Sequence, residues 1–226
     1  MSASAGTSGD KADLTLDELR VVLAPAIADA AVFDGWSDAA LVSAAELDGI
    51  DPDVARLAFP GGAMDMIAAW IGSVDIAMAL ALPEEKLAAM KIRERIRSLV
   101  EARLAAVAGR EEALRRALAI MAMPQNLVRA GKLGWASADA MWRLAGDTAT
   151  DYNHYTKRAI LASLYAGTLA VFVSDESEGK ADTRAFLDRG IEGVMRFEKL
   201  KAQLLRPGDE RFSVARFLGR LRYPVR

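Results

Sequence analysis

The sequence of 226 residues contains no cysteine and only one histidine, His154. The absence of cysteine excludes disulfides, thiolate nucleophiles, cysteine-ligated zinc and iron–sulfur clusters. Asp147 and Asp151 precede His154 at suggestive spacing, but short acidic residues at a turn are more often helix caps than metal ligands. No glycine-rich phosphate loop follows a strand pattern. We therefore expect no catalytic residue, metal ion or cofactor, and a protein that is not an enzyme.

Strand patterns and membrane spans are also missing. No run alternates polar and apolar residues for long enough to form a strand, and no apolar stretch reaches the roughly 20 residues of a membrane-spanning helix. Hydrophobic residues nevertheless make up 52% of the chain. The polar segment 1–13 lacks the apolar centre of a signal peptide. We predict a soluble, globular, all-α protein with a disordered N-terminus over residues 1–13.

Residues 14–62 carry the pattern of a helix-turn-helix head. Periodic apolar residues predict a first helix ending near Phe33, in which Pro25 should cause a kink or a late start. Ser37 is the expected N-cap of a second helix that ends near Leu47. Pro52 suits the first position of a short third helix, which should end at Phe59.

The pairs Gly35-Trp36 and Phe59-Pro60, which flank the second and third helices, resemble the DNA-binding head of tetracycline-repressor-type regulators. A ligand-responsive transcriptional regulator is therefore an alternative function. The charge argues against DNA, because residues 1–60 hold eleven acidic and three basic residues. The third helix and its turn offer Arg56 as their one cation, whereas DNA binding relies on several.

Residues 63–205 should form an all-α body that includes a core or dimerisation helix. We expect helices over residues 63–82, 83–108, 111–121, 127–132 and 183–205. Two central helices are expected between the fourth and the fifth of these. The first central helix carries an apolar stripe of Ala138, Met141, Trp142 and Ala145, and Gly146 ends it. The second is almost uninterruptedly apolar from Ala159 to Val173. A helix that is apolar on all sides is buried on most of them, so we place it in the core or at a homodimer interface.

Residues 206–226 are predicted to form a linker and a basic amphipathic helix. Segment 211–226 contains five arginines and no acidic residue. The apolar face consists of Val214, Phe217, Leu218 and Leu221, opposite Arg216 and Arg220. Such a helix is typical of a weak anchor on an anionic membrane surface. The alternative is a terminal helix packed on its own or a neighbouring subunit's body.

The central motif Met-Trp-x-x-Ala-Gly-Asp-x-x-x-Asp-x-Asn-x-Tyr-Thr-Lys-Arg covers residues 141–158. With the upstream segment Met-Pro-Gln-Asn at 123–126, it resembles the Coq-nine family of ubiquinone-biosynthesis proteins, over about residues 15–205. The resemblance implies a tetracycline-repressor-like all-α homodimer that is neither an enzyme nor a repressor. It implies a hydrophobic pocket for an isoprenoid lipid or quinone intermediate. The lipid would be handed to the demethoxyubiquinone hydroxylase at the inner face of the cytoplasmic membrane.

The resemblance also implies a partner-binding patch on the central motif, formed by Asp139, Met141, Trp142, His154, Tyr155 and Arg158. His154 stands where the family commonly has Trp, and aromatic residues dominate many interfaces. We therefore expect contact with the hydroxylase to be weaker, remodelled or made with another partner. The apolar stripe alternatively places Met141 and Trp142 in the core, which leaves Tyr155 and Arg158 as the better surface candidates.

Overall fold

A computed structural model describes residues 14–147 and 152–204, and every regular element in these ranges is helical. The prediction of an all-α fold is confirmed for them. The α-helices are α1 Leu16–Asp34, α2 Asp38–Leu47, α3 Pro52–Ala58, α4 Ala63–Ala81, α5 Glu84–Ala88, α6 Ile92–Val107, α7 Glu111–Met121, α8 Leu127–Leu144, α9 Tyr152–Phe172 and α10 Ala181–Leu204. Two compact units divide inside α10, after Ile191.

Helices α1 to α3 form the predicted helix-turn-helix. A capping box starts α1: Thr15 Oγ1 accepts from the Glu18 backbone N–H, and the Glu18 carboxylate accepts from the Thr15 N–H at 2.8 Å. Ser37 caps α2 and Pro52 is the first residue of α3, as predicted. Helix α1 also packs on α4, so the boundary between head and body at residue 62 remains a prediction.

Pro25 lies inside α1, which runs from Leu16 to Asp34, so the predicted late start is wrong and the predicted kink remains a prediction. Trp36, just after α1, connects the head to the body. Its indole Nε1 donates to the Ala113 carbonyl of α7 at 2.9 Å, and its ring centroid lies 5.3 Å from that of Trp70 on α4. The described helices of the first unit therefore share one continuous core.

The long helix predicted over residues 83–108 is wrong, because the structure has two helices there, α5 and α6. Glu94 accepts from the Lys91 backbone N–H at 3.1 Å and so starts a new helix. Arg95 donates to the carbonyls of Met90 and Ala88 at 3.0 and 3.2 Å. Ala88 is the last residue of α5 and Met90 lies just beyond it, so neither carbonyl has a partner within that helix and Arg95 supplies one.

The predicted helix end near Lys132 is also wrong, because α8 runs from Leu127 to Leu144 without interruption. Gly131 and Gly134 lie inside it. Each costs about 1 kcal/mol relative to alanine, which is too little to break a helix that packs against α4, α6 and α9.

Helix α4 corrects the expectation that no stretch is long and apolar enough to span a membrane. It has 19 residues, and its best window has a mean hydropathy of 1.5. In the folded chain α4 packs against α1 and α6 and buries Met66, Ile67 and Trp70. Its Asp75 forms an ion pair with Arg103 of α6. Helix α4 is therefore a core helix of the first unit.

Within the described chain, α9 is buried on one face and not on most sides. The buried face carries Leu161, Tyr165, Thr168 and Phe172, whereas Ala159, Ser163, Ala166 and Ala170 are exposed. The exposed side chains are small, so leaving them in water forgoes little apolar burial. The predicted homodimer interface on this helix remains a prediction.

Candidate functional site

A cavity of about 280 Å³ lies between α4, α6, α7, α8 and α9. Its walls are almost entirely apolar, with contributions from each helix that include Trp70, Val74, Val107, Leu118, Ala130 and Leu169. Protein interiors are normally packed as densely as organic crystals, so a void of this size needs a local cause. Alanine and glycine line the cavity on α8 and α9, at Ala130, Gly134, Ala162 and Ala166. These small side chains leave open the space that larger ones would fill.

One polar cluster interrupts the apolar wall. Arg103 is 1% exposed, forms an ion pair with Asp75 and donates from Nη2 to Ser137 Oγ at 3.0 Å. The guanidinium carbon lies 4.9 Å from the centroid of the Tyr165 ring, in a cation–π arrangement. Burial raises the pKa of Asp75, although the Arg103 charge opposes this shift. Burial likewise raises the pKa of Tyr165 against the same charge.

The sequence analysis missed this cluster, although a signal was present. Arg103 falls on the buried stripe of α6, four residues after Leu99 and three after Val100. Asp75 similarly interrupts the apolar run of α4. A charge on a buried stripe requires a partner, so the pattern predicts an ion pair inside the protein. It does not identify which two charges meet.

The polar corner is defined here as Asp139, Asp147, Lys157 and Arg158, where α8 and α9 meet. Arg158 donates from Nε to Asp139 Oδ1 at 2.5 Å and from Nη1 to Asp147 Oδ2 at 3.0 Å. Lys157 Nζ donates to Asp147 Oδ1 at 2.7 Å. The expectation that Arg158 lies at the surface is wrong, because both carboxylates enclose a guanidinium that is 2% exposed.

Burial alone would raise the pKa of both carboxyl groups in the polar corner. For Asp139, the hydrogen bond from Arg158 and the charge of Arg143 outweigh burial and lower its pKa. For Asp147, hydrogen bonds from Lys157 and Arg158 do the same. Both groups are therefore held as carboxylates, which is the form that joins the two helices.

The other predicted partner-binding residues lie around the same corner. Met141 is fully buried, as the core alternative predicts. Trp142 is partly buried and donates from Nε1 to the Lys157 carbonyl at 3.0 Å. His154 is partly buried and meets Tyr155 edge to face, with ring centroids 5.1 Å apart. The Tyr155 side chain is 62% exposed, which makes it the one strongly exposed residue of the predicted patch.

The remaining site predictions concern a possible metal site and the membrane-binding residues. No group of three potential metal ligands occurs within residues 14–147 and 152–204, and Asp151 lies between these ranges. All the predicted membrane-binding residues lie outside the described residues: Val214, Arg216, Phe217, Leu218, Arg220 and Leu221. Partner and membrane binding therefore remain predictions.

A helix-turn-helix head on a helical body with an internal cavity defines the tetracycline-repressor-like class of folds. The crystal structure of the TetR transcriptional regulator from Nitrosomonas europaea ATCC 19718 matches with a TM-score of 0.63. The match covers 79% of this chain and 99% of that chain. Because the sequences are 20% identical, the likeness shows the fold alone.

Within this class, residues 127–198 match the COQ9 family model. The mitochondrial ubiquinone biosynthesis protein COQ9 of Rattus norvegicus is 31% identical over 182 residues, covering 77% of this chain and 58% of the relative. Its Homo sapiens counterpart is 30% identical, with 77% and 57% covered. The predicted resemblance to the Coq-nine family is therefore confirmed, and the chain is a relative of the COQ9 proteins. It spans less than two thirds of the length of these curated relatives.

Proposed function

We propose that this protein is a non-enzymatic, lipid-binding auxiliary of ubiquinone biosynthesis. It binds an isoprenoid quinone precursor and presents it to the demethoxyubiquinone hydroxylase at a membrane surface. The resemblance to COQ9 proteins, whose names state a role in ubiquinone biosynthesis, supports the pathway. The observation that carries lipid binding is the apolar cavity in the body.

The physical case for an apolar ligand rests on the cavity wall. Water in a protein interior needs about two to four polar partners, and an apolar wall offers few. Transfer of apolar surface from water into such a cavity is worth about 25 cal/mol per Å². An isoprenoid group can therefore be held by shape and burial, with few polar contacts.

Presentation to a partner is assigned to the surface around Tyr155. This side chain packs against Trp135, with ring centroids 6.0 Å apart, while most of its surface faces solvent. Exposed, pre-positioned aromatic residues are frequent energetic anchors of interfaces. In this proposal Arg158, Asp139 and Met141 hold the surface in place from beneath.

Attachment to the membrane is assigned to segment 206–226, at the inner face of the cytoplasmic membrane. Its five arginines between residues 211 and 226 favour anionic lipid. The variant Val214→Asp/Leu218→Asp should lose binding to anionic vesicles, whereas Ser213→Asp on the same segment should retain most of it. Unchanged binding by the double variant would remove the anchor from the proposal.

A ligand-responsive regulator is the second candidate, because the fold matches a TetR transcriptional regulator. The head offers little for DNA, however. Arg56 of α3 donates to Asp38 from Nε and Nη2 and to Asp53 from Nη1. The guanidinium that would face phosphates is thus already engaged by two carboxylates.

The first test of the lipid-binding proposal is organic extraction of the purified, never-delipidated protein, followed by mass spectrometry. We expect an isoprenoid or quinone intermediate at near-stoichiometric amount. Ala162→Trp, which places a large ring at a partly buried position of the cavity wall, should abolish co-purification. Ala170→Trp, two turns further along α9 at an exposed position outside the cavity lining, is the matched control and should retain the lipid. Equal lipid content in both variants would place the lipid outside the cavity.

A further inference from the structure

An exposed apolar stripe runs along the first half of α8 and the short 3₁₀ turn that leads into it. The α8 stripe consists of five residues at spacing i, i+3, i+4, i+7 and i+11: Pro124, Leu127, Val128, Gly131 and Trp135. This spacing usually marks the face of a helix that packs on the core. Here Leu127 is 55% exposed and Val128 is 75% exposed, and of the five only Trp135 is partly buried. The core side of α8 is a different face, which carries Leu133, Ser137, Ala138 and Met141.

The α8 stripe begins beside an opening of the cavity. Ala122 lines the cavity and is also exposed, so the cavity reaches the surface at the end of α7. Met123, which follows it, is 43% exposed. Ala130 and Gly134 line the cavity from the inner side of α8. The exposed apolar stripe and the apolar cavity wall therefore meet around the start of α8.

The charges beside the α8 stripe are cationic. Residues 122–138 contain Arg129 and Lys132 and no acidic residue, in a chain whose net charge is −2. Arg129 pairs with Asp65 of α4, whereas Lys132, one turn after Val128, is exposed and has no ion pair within the described residues. A lysine in this position can extend its ammonium group to lipid phosphates while its methylene groups cover apolar surface. An anionic lipid surface therefore complements both the charge and the polarity of this face.

We propose that the α8 stripe inserts into the surface of an anionic membrane and so brings the cavity opening against the lipid acyl chains. This inference rests on the proposed function in one respect, because it makes the membrane the source of the ligand in the cavity. The contact is separate from the one assigned to segment 206–226. Each contact alone is weak, as is usual for short interfacial segments, so loss of either should release most of the protein.

Trp135 supports a lipid surface as the occupant of this face. Tryptophan is enriched at membrane interfaces, where its amphipathic ring lies at the level of the lipid headgroups. The centroid of the Trp135 ring lies 6.0 Å from that of Tyr155, so the stripe ends beside the surface proposed for the hydroxylase. Insertion of the stripe thus places the cavity opening and the partner surface together at the bilayer.

Fluorescent labels at single cysteines test the insertion. The chain has no cysteine of its own, so Val128→Cys can be labelled with the environment-sensitive dye NBD at one position. Leu80→Cys is the matched control, because Leu80 is 78% exposed and lies at the opposite end of α4 from Asp65, the partner of Arg129. The full-length protein is mixed with vesicles of phosphatidylcholine and phosphatidylglycerol in equal parts. We expect the emission of the label at residue 128 to shift to shorter wavelength and to be quenched by lipids with a nitroxide on the acyl chain. The label at residue 80 should show neither change.

Two variants change the apolar surface of the stripe in opposite directions. Leu127→Ser/Val128→Ser should weaken partitioning into these vesicles by about tenfold or more, because two apolar side chains are lost from the buried face. Ile76→Ser/Leu80→Ser, which replaces two exposed apolar residues of α4, is the matched control and should leave partitioning unchanged. Gly131→Leu should strengthen partitioning by about threefold or more. A Cβ at Gly131 meets no atom within 4 Å and leucine has the higher helix propensity, so this gain cannot come from damage to the fold.

The outcomes separate this inference from the proposed function. Cosedimentation identifies the vesicle-bound protein. An unshifted label at residue 128 on bound protein, partitioning that neither stripe variant alters, or no vesicle binding at all would overturn the insertion. The lipid that co-purifies with the protein decides the carrier function independently. A shift at residue 128 that occurs in buffer and grows with protein concentration would assign the stripe to a second copy of the chain. A shift that requires added hydroxylase would assign it to that partner.

Discussion

Arg158 Nε on α9 lies 2.5 Å from Asp139 Oδ1 on α8, and the same guanidinium donates to Asp147 Oδ2 at 3.0 Å. One buried cation thus joins the two helices and also binds Asp147, three residues after the end of α8. Tyr155 lies less than one turn before Arg158 on α9, and Trp142 lies three residues after Asp139 on α8. The surface proposed for partner binding is therefore positioned by an ion pair beneath it.

Replacing Arg158 with methionine should destabilise the protein by about 3 kcal/mol, because removal of one partner leaves a buried ion-pair network uncompensated. Arg143→Met is the matched control. Arg143 binds the other oxygen of Asp139 at 2.8 Å, but its side chain is 75% exposed, so its loss should cost less than about 1 kcal/mol. Urea denaturation of both variants measures the difference. Similar costs would show that the buried bridge does not hold the corner.

Stability should fall in acid. The pKa values of Asp139 and Asp147 are lowered in the folded protein, so the unfolded chain takes up these two protons at higher pH than the folded chain. Their contribution is present above the ordinary aspartate pKa of about 4 and is lost as pH falls through that value and below. Asp75 acts in the opposite direction, because its pKa is raised and its proton is held more tightly when folded.

The contribution of Asp147 can be isolated with Asp147→Asn, which does not titrate. The difference in free energy of unfolding between wild type and variant should be largest near pH 7 and should shrink between about pH 5 and pH 3. Urea denaturation at a series of pH values gives this difference. Two parallel pH profiles would mean that Asp147 does not contribute to acid sensitivity.

Local sequence signals predicted the starts of α2 and α3, but they missed the break between α5 and α6 and the continuity of α8. Ser37 as N-cap and Pro52 as first residue were predictable, because capping depends on a few neighbouring residues. The start of a new helix after Lys91 was missed. The Glu94 side chain caps this helix, and the apolar periodicity of the segment continues across the break. The continuity of α8 was missed because tertiary packing outweighs the helix propensity of its two glycines.

The candidate site required knowledge of which helix faces meet. The burial of Arg158 depends on carboxylates that precede it by 19 and 11 residues in the chain. The cavity depends on small residues of α8 and α9 that face larger ones on α4 and α7. A sequence pattern predicts that such faces are apolar, but the void between them arises only when all five helices are packed.

The head should not bind DNA in the manner of a regulator. Duplex affinity depends on cations facing phosphates, and the Arg56 guanidinium is bound by Asp38 and Asp53. Hydrogen bonding to Asp38 also raises the pKa of Arg56, so the guanidinium stays charged beside the two carboxylates. We expect dissociation constants weaker than about 10⁻⁴ M for a random duplex at physiological salt.

Fluorescence anisotropy of a labelled duplex, titrated at salt concentrations from about 50 to 200 mM, measures this affinity. Asp53→Lys, which releases part of Arg56 and adds a cation to α3, should gain a weak, salt-sensitive affinity. Tight binding by the wild-type protein that weakens as salt rises would favour the regulator over the lipid-binding auxiliary.

Tyr155 should contribute most to capture of the hydroxylase, since it is the strongly exposed residue of the predicted patch. Tyr155→Ala should weaken binding to the demethoxyubiquinone hydroxylase of the same organism by about tenfold or more, as loss of an aromatic interface anchor commonly does. Phe33→Ala is the matched control, because Phe33 is an aromatic residue of the head that is 82% exposed. It should leave the affinity unchanged.

Binding of each variant to the hydroxylase, measured in the presence of anionic vesicles, gives the affinities. Thermal melting checks that both variants are folded. Truncation of the exposed Tyr155 ring should cost little stability, so a loss of affinity reports on the interface. His154→Trp should increase capture, because it supplies the larger aromatic side chain that the family resemblance leads us to expect at this position. Equal loss in Tyr155→Ala and Phe33→Ala, or no loss in either, would move the partner surface away from the α8–α9 corner.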